Sequence, residues 1–232
     1  MIKQWVLGAS TLALSVAALA GGPAPVVSGQ PSATQFYVEG HGGMTWQKWK
    51  GEQVTLLTLA SAVQPQAPLP SVNWKNEKDR NNFGFAAGWN VRPPVAVEVG
   101  YYSYGDVTLA GDNARQDTDA LKFDGKIKST LFYGGVRYTF YKTHRLRLFV
   151  KAAIARSNNA YDWTTVKNAT TPTTETGKNK VNFTTLMGAL GVHFALSQRL
   201  YVGAQVMYVP GKSGDFKVPA QTSADGVIGF TF

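Results

Sequence analysis

Apolar and polar residues alternate with a period of two in eight stretches between residue 36 and the C-terminus. A β-strand turns successive side chains to opposite faces, so this period predicts strands. In each stretch one face carries aliphatic and aromatic residues, and the other carries small, polar or ionisable ones. The last stretch shows this clearly, because Ile228, Phe230 and Phe232 share one face while Gly229 and Thr231 share the other. The pattern therefore predicts eight amphipathic strands.

The connections between these predicted strands alternate in length. Those after the second, fourth and sixth strands are short, as at Arg92-Pro93-Pro94. The others are far longer and cover residues of roughly 47–81, 105–124, 157–180 and 210–223. An even number of strands with strictly alternating connections is typical of a transmembrane barrel, which has short turns in the periplasm and long loops outside the cell. A soluble sandwich gives no reason for this sorting of loop lengths.

Charged side chains of the strands fall on the faces that lack large apolar residues. A charge on the lipid-facing side at the middle of a bilayer costs about 2–4 kcal/mol, so we assign the charged faces to the barrel interior. Eight strands enclose a space just wide enough for side chains to fill it. The sequence therefore predicts a polar network in the lumen, made of Glu39, His41, Glu98, Arg137, Arg147, Lys151, His193 and Asp225.

Within this lumen network, Glu98 and Arg137 lie about four residues from short turns on neighbouring strands, as counted along the sequence. We therefore expect an ion pair between them near the periplasmic end, with His193 and Glu39 at similar depth. Two interpretations remain open. The charged residues either plug the lumen or form a gate for ions or small solutes.

Aromatic residues on the apolar faces are predicted to form two belts at the membrane surfaces. The outer belt comprises Trp46, Phe83, Tyr101 and Tyr208, and the inner belt comprises Trp89, Tyr138, Phe140, Phe194, Phe230 and Phe232. The competing interpretation is a soluble barrel with an apolar interior. That fold would turn Glu98, Arg137 and Lys151 to the outside.

Composition agrees with a membrane protein. Only 16% of the residues are charged, 12% are aromatic, and the 232 residues include 24 glycines. Soluble domains have about 25% charged residues. The formal charge is +9, but the Lys and Arg residues are scattered and form no dense basic run, so nucleic acid is not expected as a partner. The absence of Cys excludes disulfides and thiolate metal sites.

The N-terminal region reads as a secretory signal. Lys3 precedes an apolar stretch that ends at Ala18-Leu19-Ala20, a small-x-small cleavage pattern. We predict a signal peptide at residues 1–20, a flexible periplasmic leader at residues 21–33 and a barrel at residues 34–232.

Catalytic chemistry finds little support in the sequence. His41, His144 and His193 match no metal spacing. Ser197 lies four residues beyond His193, about 13 Å away along an extended strand, so the two cannot share a proton. We expect no catalytic residues, no metal and no cofactor.

The first long connection contains an apolar patch at residues 54–63, which allows a ten-stranded barrel if it adds a membrane hairpin. Basic residues border this connection, and we expect them either to hold the phosphates of lipopolysaccharide or to be simply solvated. They are Lys48, Lys50, Lys75, Lys78 and Arg80.

Three segments resemble the small eight-stranded outer-membrane barrels, namely the opacity-type proteins and the OmpA transmembrane domain. They are Phe132-Tyr133-Gly134-Gly135-Val136-Arg137-Tyr138-Thr139-Phe140, Gly188-Ala189-Leu190-Gly191-Val192-His193-Phe194 and the terminal Gly229-Phe230-Thr231-Phe232. The resemblance implies a single closed, antiparallel, up-and-down, eight-stranded transmembrane β-barrel in the bacterial outer membrane. It also implies that Ile228, Phe230 and Phe232 form the signal read by the barrel-assembly machinery.

Members of this group serve as structural anchors, adhesins or narrow pores, and a few barrels of similar shape modify lipids. We therefore expect a non-enzymatic surface protein that presents long extracellular loops for adhesion or envelope integrity. Its expected partners are outer-membrane lipid, lipopolysaccharide and a surface ligand bound through the loops. The alternatives are a narrow channel and a lipid-modifying enzyme.

Overall fold

The computed structural model describes residues 36–47, 73–76, 79–113, 120–143, 145–168, 173–213 and 218–232. The predicted signal peptide and leader lie outside these ranges, as do the apolar stretch at residues 54–63, Lys48, Lys50, Lys78 and His144. Within the described ranges, no helix is long and apolar enough to cross a membrane.

Nine antiparallel strands make up the described part of the chain. They are β1 (Phe36–Gln47), β2 (Asn73–Asn76), β3 (Asp79–Arg92), β4 (Val95–Asn113), β5 (Ala120–Lys142), β6 (Leu146–Asn168), β7 (Thr173–Ala195), β8 (Leu200–Val209) and β9 (Gln221–Thr231).

Eight of these strands form a closed ring. Neighbours in sequence pair with each other from β3 to β9, β3 also pairs with β1, and β1 pairs with β9 from Tyr37↔Thr231 to Gln47↔Gln221. The predicted eight-stranded, up-and-down barrel is therefore confirmed. The short β2 lies outside the ring and pairs only with the far end of β4, so the ten-stranded alternative is not the fold of the described residues.

The register fixes how strongly the strands tilt. Paired residues followed from Phe36 around all eight barrel strands lead back to β1 at Trp46, ten residues further along the same strand. With strands about 4.8 Å apart and a rise of about 3.3 Å per residue, this offset corresponds to a tilt of about 40°. Side chains that are distant in the pairing order can therefore lie at the same depth in the lumen.

The outward face carries a continuous apolar band. Its members are among the most exposed large side chains of the protein, with Leu186 71% and Ile154 62% exposed. Phe36 stacks on Trp89 with ring centroids 6.0 Å apart, and Tyr101 lies against Phe132 at 4.7 Å. Such an outward band is costly in water but stable against lipid tails. The sequence assignment of apolar faces to the outside is confirmed.

Strands β4 to β7 continue well past this band. The predicted long loops at residues 105–124 and 157–180 are mostly strand, so that part of the prediction is wrong. The reason is a reversal of polarity beyond the membrane. Exposed Lys126 and Lys128 alternate with buried Ile127, because water now lies on the outward side. At about ten residues beyond the band, these strands extend about 25 Å from the membrane.

Candidate functional site

The lumen near the periplasmic end holds four buried charges that we call the base network: Glu39, Glu98, Arg137 and Lys151. Arg137 Nη1 lies 2.5 Å from Glu39 Oε1 and 3.5 Å from Glu98 Oε2. Lys151 Nζ lies 2.7 Å from Glu98 Oε1 and 3.4 Å from Glu39 Oε2. Each cation therefore lies between both carboxylates, and the set is electrically neutral when all four groups are charged.

Tyrosines complete the hydrogen bonding of the two carboxylates. Tyr37 donates to Glu98 Oε2 at 2.7 Å, and Tyr133 donates to Glu98 Oε1 at 2.6 Å. Tyr201 donates to Glu39 Oε1 at 2.8 Å. These phenols satisfy carboxylate lone pairs that the cations leave open, which a buried ion pair requires to be stable.

Glycines in the wall allow these rings to reach the carboxylates. Gly88 pairs with Tyr37 on one side and with Glu98 on the other, so the ring crosses a residue without a side chain. A Cβ on Gly88 would lie 2.0 Å from Tyr37 Cζ. Gly229 has the same place between Tyr201 and Glu39. A Tyr–Gly–Glu row across three strands is therefore the local unit of this network.

Two histidines border the network. His193 Nε2 lies 3.6 Å from Glu39 Oε1, and its ring packs between Phe149 at 4.4 Å and Tyr201 at 4.6 Å. His41 Nε2 lies 3.4 Å from Glu39 Oε2. Among the described residues, no group of three or more His, Asp or Glu side chains is arranged to hold a metal ion.

A second network surrounds Asp225 higher in the lumen, and its hydrogen-bond donors are uncharged. Asn82 Nδ2 donates to Asp225 Oδ1 at 2.8 Å and to Thr45 Oγ1 at 2.7 Å. Gln205 Nε2 donates to Asp225 Oδ2 at 3.2 Å and to the Tyr102 hydroxyl at 2.5 Å. This carboxylate is held by amide donors, so it is separate from the base network.

Apolar side chains close the lumen above these polar layers. We call the outermost group the mouth cluster: Val107, Ile127, Tyr161, Val181 and Val218. Its members come from β4, β5, β6, β7 and the β8–β9 connection, and each is at most 5% exposed. Trp163 and Phe183 pack against it. The interior between this cluster and the base network is filled by tyrosine, methionine, alanine, leucine and valine side chains.

Arg80 lies beside this closure and does not face the membrane surface. It is 3% exposed, donates to the Gly105 carbonyl at 3.2 Å and also donates to Gln47 Oε1. Its predicted contact with lipopolysaccharide is therefore wrong. The structure describes only the backbone of Lys75, in β2.

The remaining predicted lumen residues take different places. Glu98 and Arg137 do approach each other, but the closer acceptor for Arg137 is Glu39, on the opposite side of the barrel. Arg147 is half-buried at the periplasmic end and lies outside the base network. Sequence reasoning missed the tyrosine donors, although Tyr37, Tyr133 and Tyr201 share the predicted inward faces of their strands with other lumen residues.

The fold and this filled polar interior define an integral β-barrel of the bacterial outer membrane. The family model described as outer membrane protein beta-barrel domain matches residues 8–230. This chain therefore belongs to the outer membrane protein beta-barrel domain family, and the bacterial outer membrane is its location.

Comparison with solved structures gives matches of low sequence identity. The N-terminal β-barrel domain of OprF from Pseudomonas aeruginosa is 12% identical, with 85% of this chain and 97% of that chain covered and a TM-score of 0.47. OprG from the same organism is 12% identical, with 86% and 96% covered and a TM-score of 0.46. Ail, the attachment invasion locus protein of Yersinia pestis, is 11% identical, with 86% and 99% covered and a TM-score of 0.44. No curated protein matches the chain.

Proposed function

We propose that this barrel is a non-enzymatic surface protein that uses the extracellular ends of β4 to β7 for adhesion. The observation that carries this proposal is a contrast between the interior and the wall. The lumen is packed with side chains, while four adjacent strands remain paired for about 25 Å beyond the apolar band. A paired extracellular sheet on a closed barrel is suited to presenting a surface.

A channel is less well supported by the same geometry. Conduction would require a path through the base network and then through the mouth cluster, and both are buried and packed. Small eight-stranded barrels have interiors that side chains fill. We therefore interpret the lumen charges as a structural plug.

An enzyme is also less well supported. Within the part of the chain that the structure describes, no hydrogen bond joins a histidine to a serine, as an activated nucleophile requires. His193 and His41 both lie deep in the lumen beside Glu39, away from lipid and from the cell exterior.

During biogenesis we propose that the barrel-assembly machinery reads the last strand. Ile228 and Phe232 lie on its lipid-facing side, at 57% and 66% exposure. In the closed barrel this strand joins β8 to β1.

Shortening the extracellular sheet tests the adhesion proposal. Trp163 and Gly177 pair across β6 and β7, so residues 163–177 can be replaced by a two-residue Asn-Gly turn without a change of register. Attachment should be lost when bacteria that display this variant are compared with bacteria that display the unmodified protein, on the same cells or surfaces. The resistance of the bacteria to detergent should not change, and we expect both the unmodified protein and the variant to be non-conducting in planar bilayers.

The matched control carries Lys142→Gln, Arg145→Gln and Arg199→Gln, all at exposed positions near the short turns at the other end of the barrel. Unchanged attachment of the shortened variant, with normal surface levels, would contradict the proposal. Loss of detergent resistance alone would indicate a role in envelope integrity instead.

A further inference from the structure

The outward face of β5 to β7 changes character directly above the apolar band. Ile154 and Leu186 are paired and highly exposed, and the next outward pair is Arg156 with Thr184. On its other side Arg156 pairs with Phe132, the last outward apolar residue of β5. Arg156 therefore lies at the boundary between lipid tails and headgroups.

Two lysines extend this positive charge away from the membrane. Lys128 and Lys180 both pair with Ala160, so they flank a small side chain in one row. That row lies four residues above Arg156, about 13 Å along β6. The three exposed cations Lys128, Arg156 and Lys180 form what we call the cationic patch.

The row between these charges is polar. Asn158 pairs with Thr130 on β5 and with Asn182 on β7, and all three occupy outward positions. Amide and hydroxyl groups in such positions can donate to phosphate and sugar oxygens. The patch therefore combines cations with neutral hydrogen-bond donors.

The cationic patch has no acidic partner among the described residues, whereas the lysines beyond it do. Lys126 Nζ lies 2.6 Å from Asp106 Oδ2, and Lys178 Nζ lies 3.9 Å from Asp162 Oδ1. Asp124 lies four residues beyond Lys128, on the side away from the membrane. The uncompensated charge is thus concentrated next to the headgroup level.

The other strands differ within the ranges that the structure describes. The outward positions inside β1, β3, β8 and β9 hold no Lys or Arg at the edge of the apolar band. Among the outward positions that the structure describes, the patch therefore lies on β5 to β7.

We propose that the cationic patch on β5 to β7 binds the phosphates of lipopolysaccharide in the outer leaflet. The height of the patch, directly above the apolar band, fits this ligand because the phosphates of lipopolysaccharide lie just outside the acyl chains. The charge also fits, since exposed cations at a lipid headgroup form charge-assisted hydrogen bonds with phosphate oxygens. This inference rests on the outer-membrane location and is independent of the proposed adhesion.

Titration of the refolded full-length protein in detergent with purified lipopolysaccharide tests the proposal. The triple variant carries Lys128→Gln, Arg156→Gln and Lys180→Gln. It should bind lipopolysaccharide about tenfold more weakly, because three charge-assisted contacts are lost. The control Lys142→Gln, Arg145→Gln and Arg199→Gln removes the same charge near the periplasmic turns and should bind normally. The heat-dependent shift in gel mobility should be the same for both variants, which verifies folding.

Two further arms identify the ligand. Enzymatically dephosphorylated lipopolysaccharide should bind the unmodified protein as weakly as intact lipopolysaccharide binds the triple variant. Phosphatidylglycerol should bind weakly to every variant. Equal affinity of the triple variant and the control for lipopolysaccharide would overturn the proposal, and an equal loss of phosphatidylglycerol binding would overturn the assignment to lipopolysaccharide.

Discussion

The base network and the mouth cluster close the same lumen by different physical means. At the base, Glu39 and Glu98 are neutralised by Arg137 and Lys151, and tyrosine hydroxyls supply the remaining hydrogen bonds. At the mouth, uncharged side chains from four strands and the β8–β9 connection pack against one another, with Arg80 beside them. Both levels are almost fully buried.

This difference predicts that single substitutions at the two levels have different effects on stability. Removing one member of a buried ion pair leaves an uncompensated charge, whereas removing part of an apolar side chain leaves a cavity that neighbours can partly fill. We therefore expect the loss of a charged member of the base to cost more than the truncation of an apolar side chain at the mouth, and a change that only displaces a tyrosine donor at the base to cost least. Three substitutions test this order.

The largest effect is expected for Glu39→Ala. This change removes the carboxylate that contacts both Arg137 and Lys151 and should destabilise the barrel by about 3–5 kcal/mol. The measurement is urea unfolding in lipid vesicles, followed by tryptophan fluorescence.

A double-mutant cycle serves as the control for this first prediction. Glu98→Ala with Lys151→Ala removes one acid and one base, so its cost should be smaller than the sum of the two single costs. Simple additivity would show that the short distances carry no coupling, and the contrast between base and mouth would then fail.

An intermediate effect is expected for Ile127→Ala in the mouth cluster. Ile127 is 1% exposed, so truncation should leave a cavity and cost about 2–4 kcal/mol in the same unfolding assay. Ile154→Ala is the matched control, because this side chain faces lipid on the next strand and leaves no internal cavity. If both variants lose equal stability, the mouth cluster is not a packed closure.

The smallest effect is expected for Gly88→Ala. The new methyl group would displace the Tyr37 ring and weaken its hydrogen bond to Glu98, at a cost of about 1–3 kcal/mol. Gly42→Ala is the control, since nothing lies within 4 Å of its added Cβ. A Gly88 variant as stable as the Gly42 variant would mean that the Tyr–Gly–Glu row does not constrain the base.

Much of the barrel could be predicted because the face on which a strand residue lies depends only on its odd or even position along the strand. Residues two positions apart share a face, and a bilayer outside with a filled lumen inside makes the two faces chemically different. That reasoning placed Glu98 and Lys151 inside and Val99 and Val150 outside, as the structure shows. It failed above the membrane, where water on the outward side reverses the polarity of β5 around Ile127.

Arg80 illustrates the same limit at a strand end. The sequence predicts a strand that begins near residue 82 and a loop that contains Arg80, but β3 begins at Asp79. Arg80 then keeps the inward parity of Asn82 and reaches Gln47 inside the barrel. A predicted strand start that is three residues too late thus places Arg80 at the cell surface, whereas the structure has it in the lumen.

The sequence by itself determined the inward and outward faces of the eight strands and the family signature of the last strand, because each depends on spacing along the chain, and it left a ten-stranded barrel open. Only the closed structure decided that Glu39 meets Arg137 and Lys151 across the lumen, and that Lys128, Arg156 and Lys180 share one patch. Those neighbours depend on strand register and on the ten-residue offset at closure. No local pattern encodes that offset, because it is set by how all eight strands join.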